Sequence, residues 1–444
     1  MKKILCAILC ACVVFSLCAC AGVDTIKQTD IPPLPTPEST PAPSAAPADE
    51  PGTETEPTPE AKPSVPAAEA FGAEQGERVI VYTNKTQETY DIPDGGPVIL
   101  LFSYETPTVR IDGRSAAAEE INEQLRLLDE LYVSGSGSDV GRALLLEEAT
   151  DNYGYVMDTG AELNTTFTSA RTAKVQRADG SVVSFRYWTS VYTGGTHDRL
   201  GYLGCSFSAK SGEKLTLDKL SADPEGLRSR IAEEIIALAQ EDEELMSRLV
   251  QGEGDYTLAL SALVRDGNWY FSGEGMVFFP EYGEIFPPED GATGIRLFTI
   301  PYSALAGYLD EQYLPVRREG EAELGIVKLD EVEDGTLSSI GRLNISEGER
   351  LYLTVQGTAY DVSVSKASYY DQGAEDNFYE TERLFYASFM DDCALQLNVL
   401  IPAGMPNLMI CYTDADYVEH RLLLSESGAA GEPVLVDDSI QAVG

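Results

Sequence analysis

Twelve of the 24 prolines of this chain fall between Pro32 and Pro66, in the run TDIPPLPTPESTPAPSAAPADEPGTETEPTPEAKPSVPAAEA. Proline removes a backbone donor and fixes φ, and the interleaved Thr, Ser, Ala and Glu offer almost nothing to bury. Residues 23 to 70 therefore cannot offset their ordering entropy and read as a disordered tether, partly in polyproline II. Its reach lies between about 40 Å as a coil and about 150 Å when extended. Everything that folds must lie beyond it, and residues 71–444 are enough for two or three domains.

What precedes the tether explains why a tether is there. The chain opens MKKILCAILCACVVFSLCACAG, two lysines and a short apolar run, which reads as a secretory signal rather than a membrane span. Leu17-Cys18-Ala19-Cys20 fits a lipobox, with residues 1–19 removed and Cys20 taking the lipid. The expected location is extracytoplasmic, on the outer face of the cell membrane, with the lipid as the anchor. Five of the eight cysteines sit in this region. Cys205, Cys393 and Cys411 remain, the first and last in apolar strand-like runs that suit small buried hydrophobes. A Cys393–Cys411 bridge is open but not indicated, because the two do not fall opposite one another around the turn PAGMPN.

The formal charge is −42, or −44 once Lys2 and Lys3 leave with the signal. Such a charge disfavours nucleic acid and anionic membrane surfaces and favours cationic partners by steering.

From 77 to 177 the text reads strand, strand, helix, short helix, strand. VIVY and VILLFSYETPTVRI are strand-like, and Ile121, Leu125, Leu128 and Tyr132 share one helical stripe. Asp179-Gly180, flanked by strand text, predicts a hairpin. GYLGCSFSA and KLTLDKL read as a further strand pair. Asp223 and Pro224 then supply N-cap and N1 of a helix whose buried side is Leu227, Ile231, Ile235 and Leu238. DYTLALSALVRDGNWYFSGEGMVFFP reads as more strands. Residues 178–315 thus form a second α+β region, and 325–440 hold only short strand patterns. The fold class expected is α+β: antiparallel sheets with packed helices, followed by a small all-β, sandwich-like C-terminal domain.

Chemistry finds little purchase here. His197 and His420 are the only histidines, which excludes HExxH and paired-histidine metal sites and leaves a serine triad with few partners. No GxSxG elbow is present, and Ser211-x-x-Lys214 and Ser363-x-x-Lys366 lack companion motifs. Asp330 to Gly335 looks like an ion loop but has Gly341 where an EF-hand needs its closing glutamate, so it reads as a solvated turn. With 73 acidic residues, carboxylate pairs occur by chance. No catalytic residue, metal or cofactor is assigned, and the chain is not expected to be an enzyme; an envelope enzyme acting on glycans through carboxylates is the alternative.

Tyr192-Thr193-Gly194-Gly195-Thr196-His197, followed by a strand, the turn SGEK and LTLDKL, resembles the "YxGGAH … LTLDDLF" signature of the DUF3298 family. The likeness continues through GNWYFSGEGMVFFPEYGEIFPPEDG to FTIPYSAL, from Ser181 to Leu309, departing at Thr196, Cys205 and Phe286. Residues 77–177 are similar to the companion DUF4163 domain. The resemblance implies an RsiV-like extracellular module, the kind that binds lysozyme. Here it would be lipid-anchored, with lysozyme or a cell-wall component as partner. It points to Tyr192, His197, Tyr270 and Tyr282 as candidate binding positions, since they lie on or near the signature and aromatic side chains anchor interfaces. The glycine pair itself suits a turn, and His197 reads as a turn or surface hydrogen-bonding residue.

Overall fold

Two strands at the start of the folded region form the wall on which the rest is built. β1 (Val79–Asp91) and β2 (Val98–Ile111) pair antiparallel along their whole length. The computed structural model describes residues 76–438 apart from 94, 136–140, 161–165, 196–197, 252–254, 282, 286–295, 334, 372–375, 403–404 and 428–430. Cys20, the tether, His197 and Tyr282 lie outside the described residues.

β2 is parallel to β3 (Phe167–Ala178), and a parallel neighbour requires a crossover. Two helices supply it: α1 (Ser115–Ser134) and α2 (Arg142–Thr159), the second longer than expected. The predicted stripe faces inward, with Ile121, Leu125 and Tyr132 buried. β3, β4 (Val182–Tyr192) and β5 (Arg199–Ser208) follow as an antiparallel meander. The predicted hairpin joins the first two, with Asp179 as its organiser. Its Oδ1 accepts from Ser181 N at 2.8 Å and Val182 N at 3.0 Å.

The segment Lys214–Leu220 corrects one expectation. It makes a single bridge, Phe207 to Lys214, and then a 3₁₀ turn over Leu217–Lys219. Asp266 Oδ1 takes the Leu217 N–H at 2.9 Å, so the backbone finds a side chain instead of a strand partner. α3 (Pro224–Glu241) starts as its capping chemistry demands, Asp223 accepting from Gly226 N. α4 (Glu243–Gln251) follows. α5 (Tyr256–Ser261) replaces an expected strand, because Asp255 caps it through Thr257 N and Leu260 and Leu263 meet the core at helical spacing. β6 (Trp269–Phe271), β7 (Gly275–Phe278) and β8 (Phe298–Pro301) form a small second sheet. α3 lays Leu227, Ile231 and Ile235 on it, beside Phe271, Phe278 and Ile300. Each such side chain contributes about 1.5–3 kcal/mol by leaving water.

Among the described residues the C-terminal part is all-β apart from a 3₁₀ turn at Leu329–Glu331, but it does not keep a sheet to itself. Its core is the long hairpin of β11 (Glu349–Asp371) and β12 (Asp376–Val399). One half of β11 pairs with β9 (Ala322–Lys328) and the other with β13 (Leu408–Thr413). β12 likewise pairs with β10 (Ser339–Asn344) at one end and with β1 at the other, Ile80 opposite Ala387. β14 (Glu419–Ser427) and β15 (Glu432–Asp437) complete the edge. The result is one 12-stranded mixed sheet, mostly antiparallel, that runs across all three regions.

The hairpin changes partners at an irregularity between Val355 and Thr358. Gly357 sits there at φ +71°, and a Cβ would meet Glu321 O at 2.0 Å, so only glycine fits. The sheet curls at this bend until β15 lies against β9, enclosing Leu353, Val364, Leu395 and Leu424 in one core as a sandwich does. β1 divides the interior: Val79 and Val81 face the α1 side, and Ile80 faces the C-terminal core.

Candidate functional site

The end of β3 carries an arginine and an aspartate that are both almost completely buried. Arg177 is 4% exposed and Asp179 6%. Burying a charge is costly unless it is paired and hydrogen-bonded, and here both conditions hold. Arg177 Nε donates to Asp179 Oδ2 at 2.7 Å, Nη1 to Tyr302 Oη at 2.8 Å and to Tyr313 O at 2.6 Å, and Nη2 to Leu314 O at 2.8 Å. Its guanidinium lies near the rings of Phe271 and Tyr302. Burial alone would push the Asp179 carboxyl up. Arg177 and the Ser181 donors outweigh it and hold it below the usual carboxylate range. The same burial pushes the Tyr302 hydroxyl up to about 12.

The backbone that Arg177 grips leads through Pro315 and Val316 to a second arginine. Arg318 lies between two tyrosine rings, its Cζ 5.0 Å from the Tyr360 centroid and 4.3 Å from that of Tyr417. Its nitrogens donate to Asp361 and Thr413, and Tyr386 Oη donates to the other Asp361 oxygen. Tyr360 Oη donates to Glu319 O at 2.8 Å and Tyr417 Oη to Val316 O at 3.2 Å, so the rings are held from both ends. Asp361 and Tyr417 both adopt positive φ, +48° and +61°. Non-glycine residues in that region store strain, which concentrates at sites where geometry is over-determined.

A cavity of about 560 Å³ opens beside this constellation, between the end of β3, the β6–β7 sheet and the face of β11 and β13. Gln176, Tyr270, Glu274, Arg318, Asp361 and Glu419 line it. A second compartment of about 320 Å³ shares Gln176, Asp361, Thr413 and Glu419 and adds Lys174, Glu380 and Arg383. Both volumes suit a small ligand or an inserted side chain. Arg383 chelates Glu380 through two bonds, 3.0 and 2.9 Å. Burial pushes Glu380 up, but Arg383 and then Lys174 pull it below its usual range. Burial, and then Glu419, push the Cys411 thiol up to about 11, which disfavours the thiolate at neutral pH.

Of the four candidate positions, Tyr270 lines the groove and is buried against Arg186. Tyr192 ends β4 opposite Thr168, six residues beyond Arg186 and so about 20 Å along the strand. The two are not brought together. Gly194 has φ +91°, as a turn there requires. Cys393 and Cys411 are free thiols on opposite sides of β11, opposite Val355 and Ser363. His420 stacks on Tyr412, with Nε2 3.0 Å from Asp414 Oδ2, and lies outside the groove lining. Among the described residues no group of three or more His, Cys, Asp or Glu is placed to hold a metal ion. The residues that sequence reading did not single out are Arg177, Arg318, Asp361 and Tyr417. Only Arg177, a charge flanking the predicted Asp-Gly hairpin, carried a local signal.

No family model matches this chain, and no curated protein matches it. Solved structures do. A DUF3298 family member from Bacteroides fragilis is 16% identical, with 53% of this chain and 95% of that chain covered and a TM-score of 0.38. A DUF3298 family protein from Pseudomonas aeruginosa is 14% identical, with 53% of this chain and 97% of that chain covered and a TM-score of 0.35. DUF3298 family proteins are thus among the structural neighbours of this chain, alike over about half of its length.

Proposed function

We propose that this chain is a binding protein, lipid-anchored through Cys20 on the outer face of the cell membrane, whose folded region captures a cationic partner. Lysozyme is the first candidate, and a cell-wall component the next. The observation that carries the reading is the charge balance, 73 acidic against 31 basic residues. Such a field steers a basic protein toward the surface and weakens with salt. A groove lined by tyrosines and carboxylates suits capture. Glycan hydrolysis would need a carboxylic acid held protonated beside a second carboxylate. In this groove, arginines instead hold Asp179 and Glu380 below their usual range, which favours ion pairing over proton donation. The tether gives the captured partner freedom to approach through a wall layer. Capture would then sense, sequester or inhibit.

The test is calorimetric titration of lysozyme into the detergent-solubilised full chain at low and at physiological salt. Micromolar binding that weakens with salt is expected, and no heat at micromolar protein overturns lysozyme as partner. Labelling with a fatty-acid analogue checks the anchor: Cys20→Ser is expected to lose the label and to release the protein from the membrane fraction.

A further inference from the structure

The groove holds one guanidinium of the chain's own. Arg318, from the connector between β8 and β9, is held by the faces of Tyr360 and Tyr417, by the carboxylate of Asp361 and by Thr413. Stacking on tyrosine combined with a carboxylate is how a guanidinium is recognised when partly removed from water. That cradle is rigid, since Asp361 and Tyr417 keep a backbone conformation that costs free energy and persists because the surroundings enforce it. Rigidity lowers the ordering cost of a second ligand beside it.

The remaining charges of the larger compartment do not balance internally. Arg177 is matched by Asp179 and Arg318 by Asp361. Glu274 and Glu419 line the same space, both exposed, and among the described residues neither forms an ion pair. Tyr270 and Phe389 extend the aromatic wall. Gln176 adds a directional element, because its buried side-chain Nε2 has no hydrogen-bond partner among the described residues. Leaving a buried amide N–H unsatisfied is unfavourable, and an incoming carbonyl oxygen would satisfy it.

We propose that this compartment receives a basic side chain, arginine above lysine, from a partner protein: Glu274 and Glu419 take the cation, the tyrosine walls take its stem, and Gln176 donates to the adjoining backbone carbonyl. The assignment rests on the capture reading above and places it at the junction of β3, β7 and β14 rather than at the Tyr192–His197 turn.

The experiment uses the full chain and two probes, lysozyme and the blocked tripeptide Gly-Arg-Gly, with the citrulline peptide as uncharged isostere. Variants are Glu274→Gln with Glu419→Gln, and, as a remote control of equal charge, Glu119→Gln with Glu120→Gln on α1. Wild type is expected to bind the arginine peptide and not the citrulline one. The groove double variant is expected to lose the peptide and to bind lysozyme roughly tenfold more weakly, about 1.4 kcal/mol, while the control stays within about twofold. Lysozyme bound equally by wild type and groove variant overturns the site and leaves capture standing. Arginine-peptide binding that needs Glu274 and Glu419, without lysozyme binding, supports the site and overturns lysozyme as partner. Binding of neither probe overturns both.

Discussion

Arg177 Nη1 donates to the carbonyl oxygen of Tyr313 at 2.6 Å, joining the end of β3 to a backbone segment 136 residues later. That bond, with those to Tyr302 and Leu314, fixes the connector that delivers Arg318 to its cradle. Arg177→Met removes the fork and leaves Asp179 buried without its cation. The expected loss is about 3–5 kcal/mol of unfolding free energy in urea. Arg177→Lys keeps the charge but not the fork, and is expected to fall between the two.

Asp361 holds Arg318 from a left-handed backbone at φ +48°. Alanine and glycine at this position both delete the carboxylate, and only glycine adopts positive φ freely. Asp361→Gly is therefore expected to be more stable than Asp361→Ala by about 1–2 kcal/mol in paired thermal melts. Equal stabilities would show that the backbone is not strained there.

Gly204 in β5 is where the second sheet approaches the first. A Cβ at this position would lie 1.8 Å from Trp269 O, and backbone cannot yield as a flexible side chain can. Gly204→Ala is expected to cost about 3 kcal/mol, as overpacking does, with a shift in Trp269 emission as β6 separates. Gly201→Ala is the control on the same strand, with Thr189 Cβ at an ordinary 4.0 Å, and is expected to be nearly neutral.

Glu105 is buried in β2 and accepts from Ala173 N at 2.8 Å. Burial first, with Glu382 and Glu380 adding to it, pushes its carboxyl up to about 7 against the opposing pull of Ala173 N and Lys85. Below the unfolded value both states are protonated. As pH rises toward 7 the unfolded chain ionises first, so the folded state binds more protons and stability falls. Glu105→Gln is expected to leave stability unchanged near pH 4 and to raise it by about 3 kcal/mol at pH 8, at 1.36 kcal/mol per unit. Urea midpoints of the two proteins at both pH values check this.

Local chemistry made much of the fold legible. Asp223 and Pro224 start α3 through contacts within three residues, Asp179-Gly180 turns through its own side chain, and Ile121, Leu125 and Tyr132 mark the buried face of α1. Errors arose where one pattern serves two structures. Leu215 and Leu217 alternate as in a strand, yet Asp266, far along the chain, takes the Leu217 N–H and turns the segment into a 3₁₀ helix.

The sequence by itself determined the proline-rich composition of residues 32–66, the acidic balance, the start of α3 and the strand-rich character of 325–440, because each depends on composition or on neighbours a few residues apart. Tertiary structure alone decided that β1 pairs with β12 across some 300 positions, making one sheet of what read as separate regions. It also decided the groove, whose Gln176, Tyr270, Arg318, Asp361 and Glu419 come from five segments. No periodicity encodes such a meeting: partner choice among strands is set by which pairing buries the most apolar surface and leaves the fewest backbone groups unsatisfied.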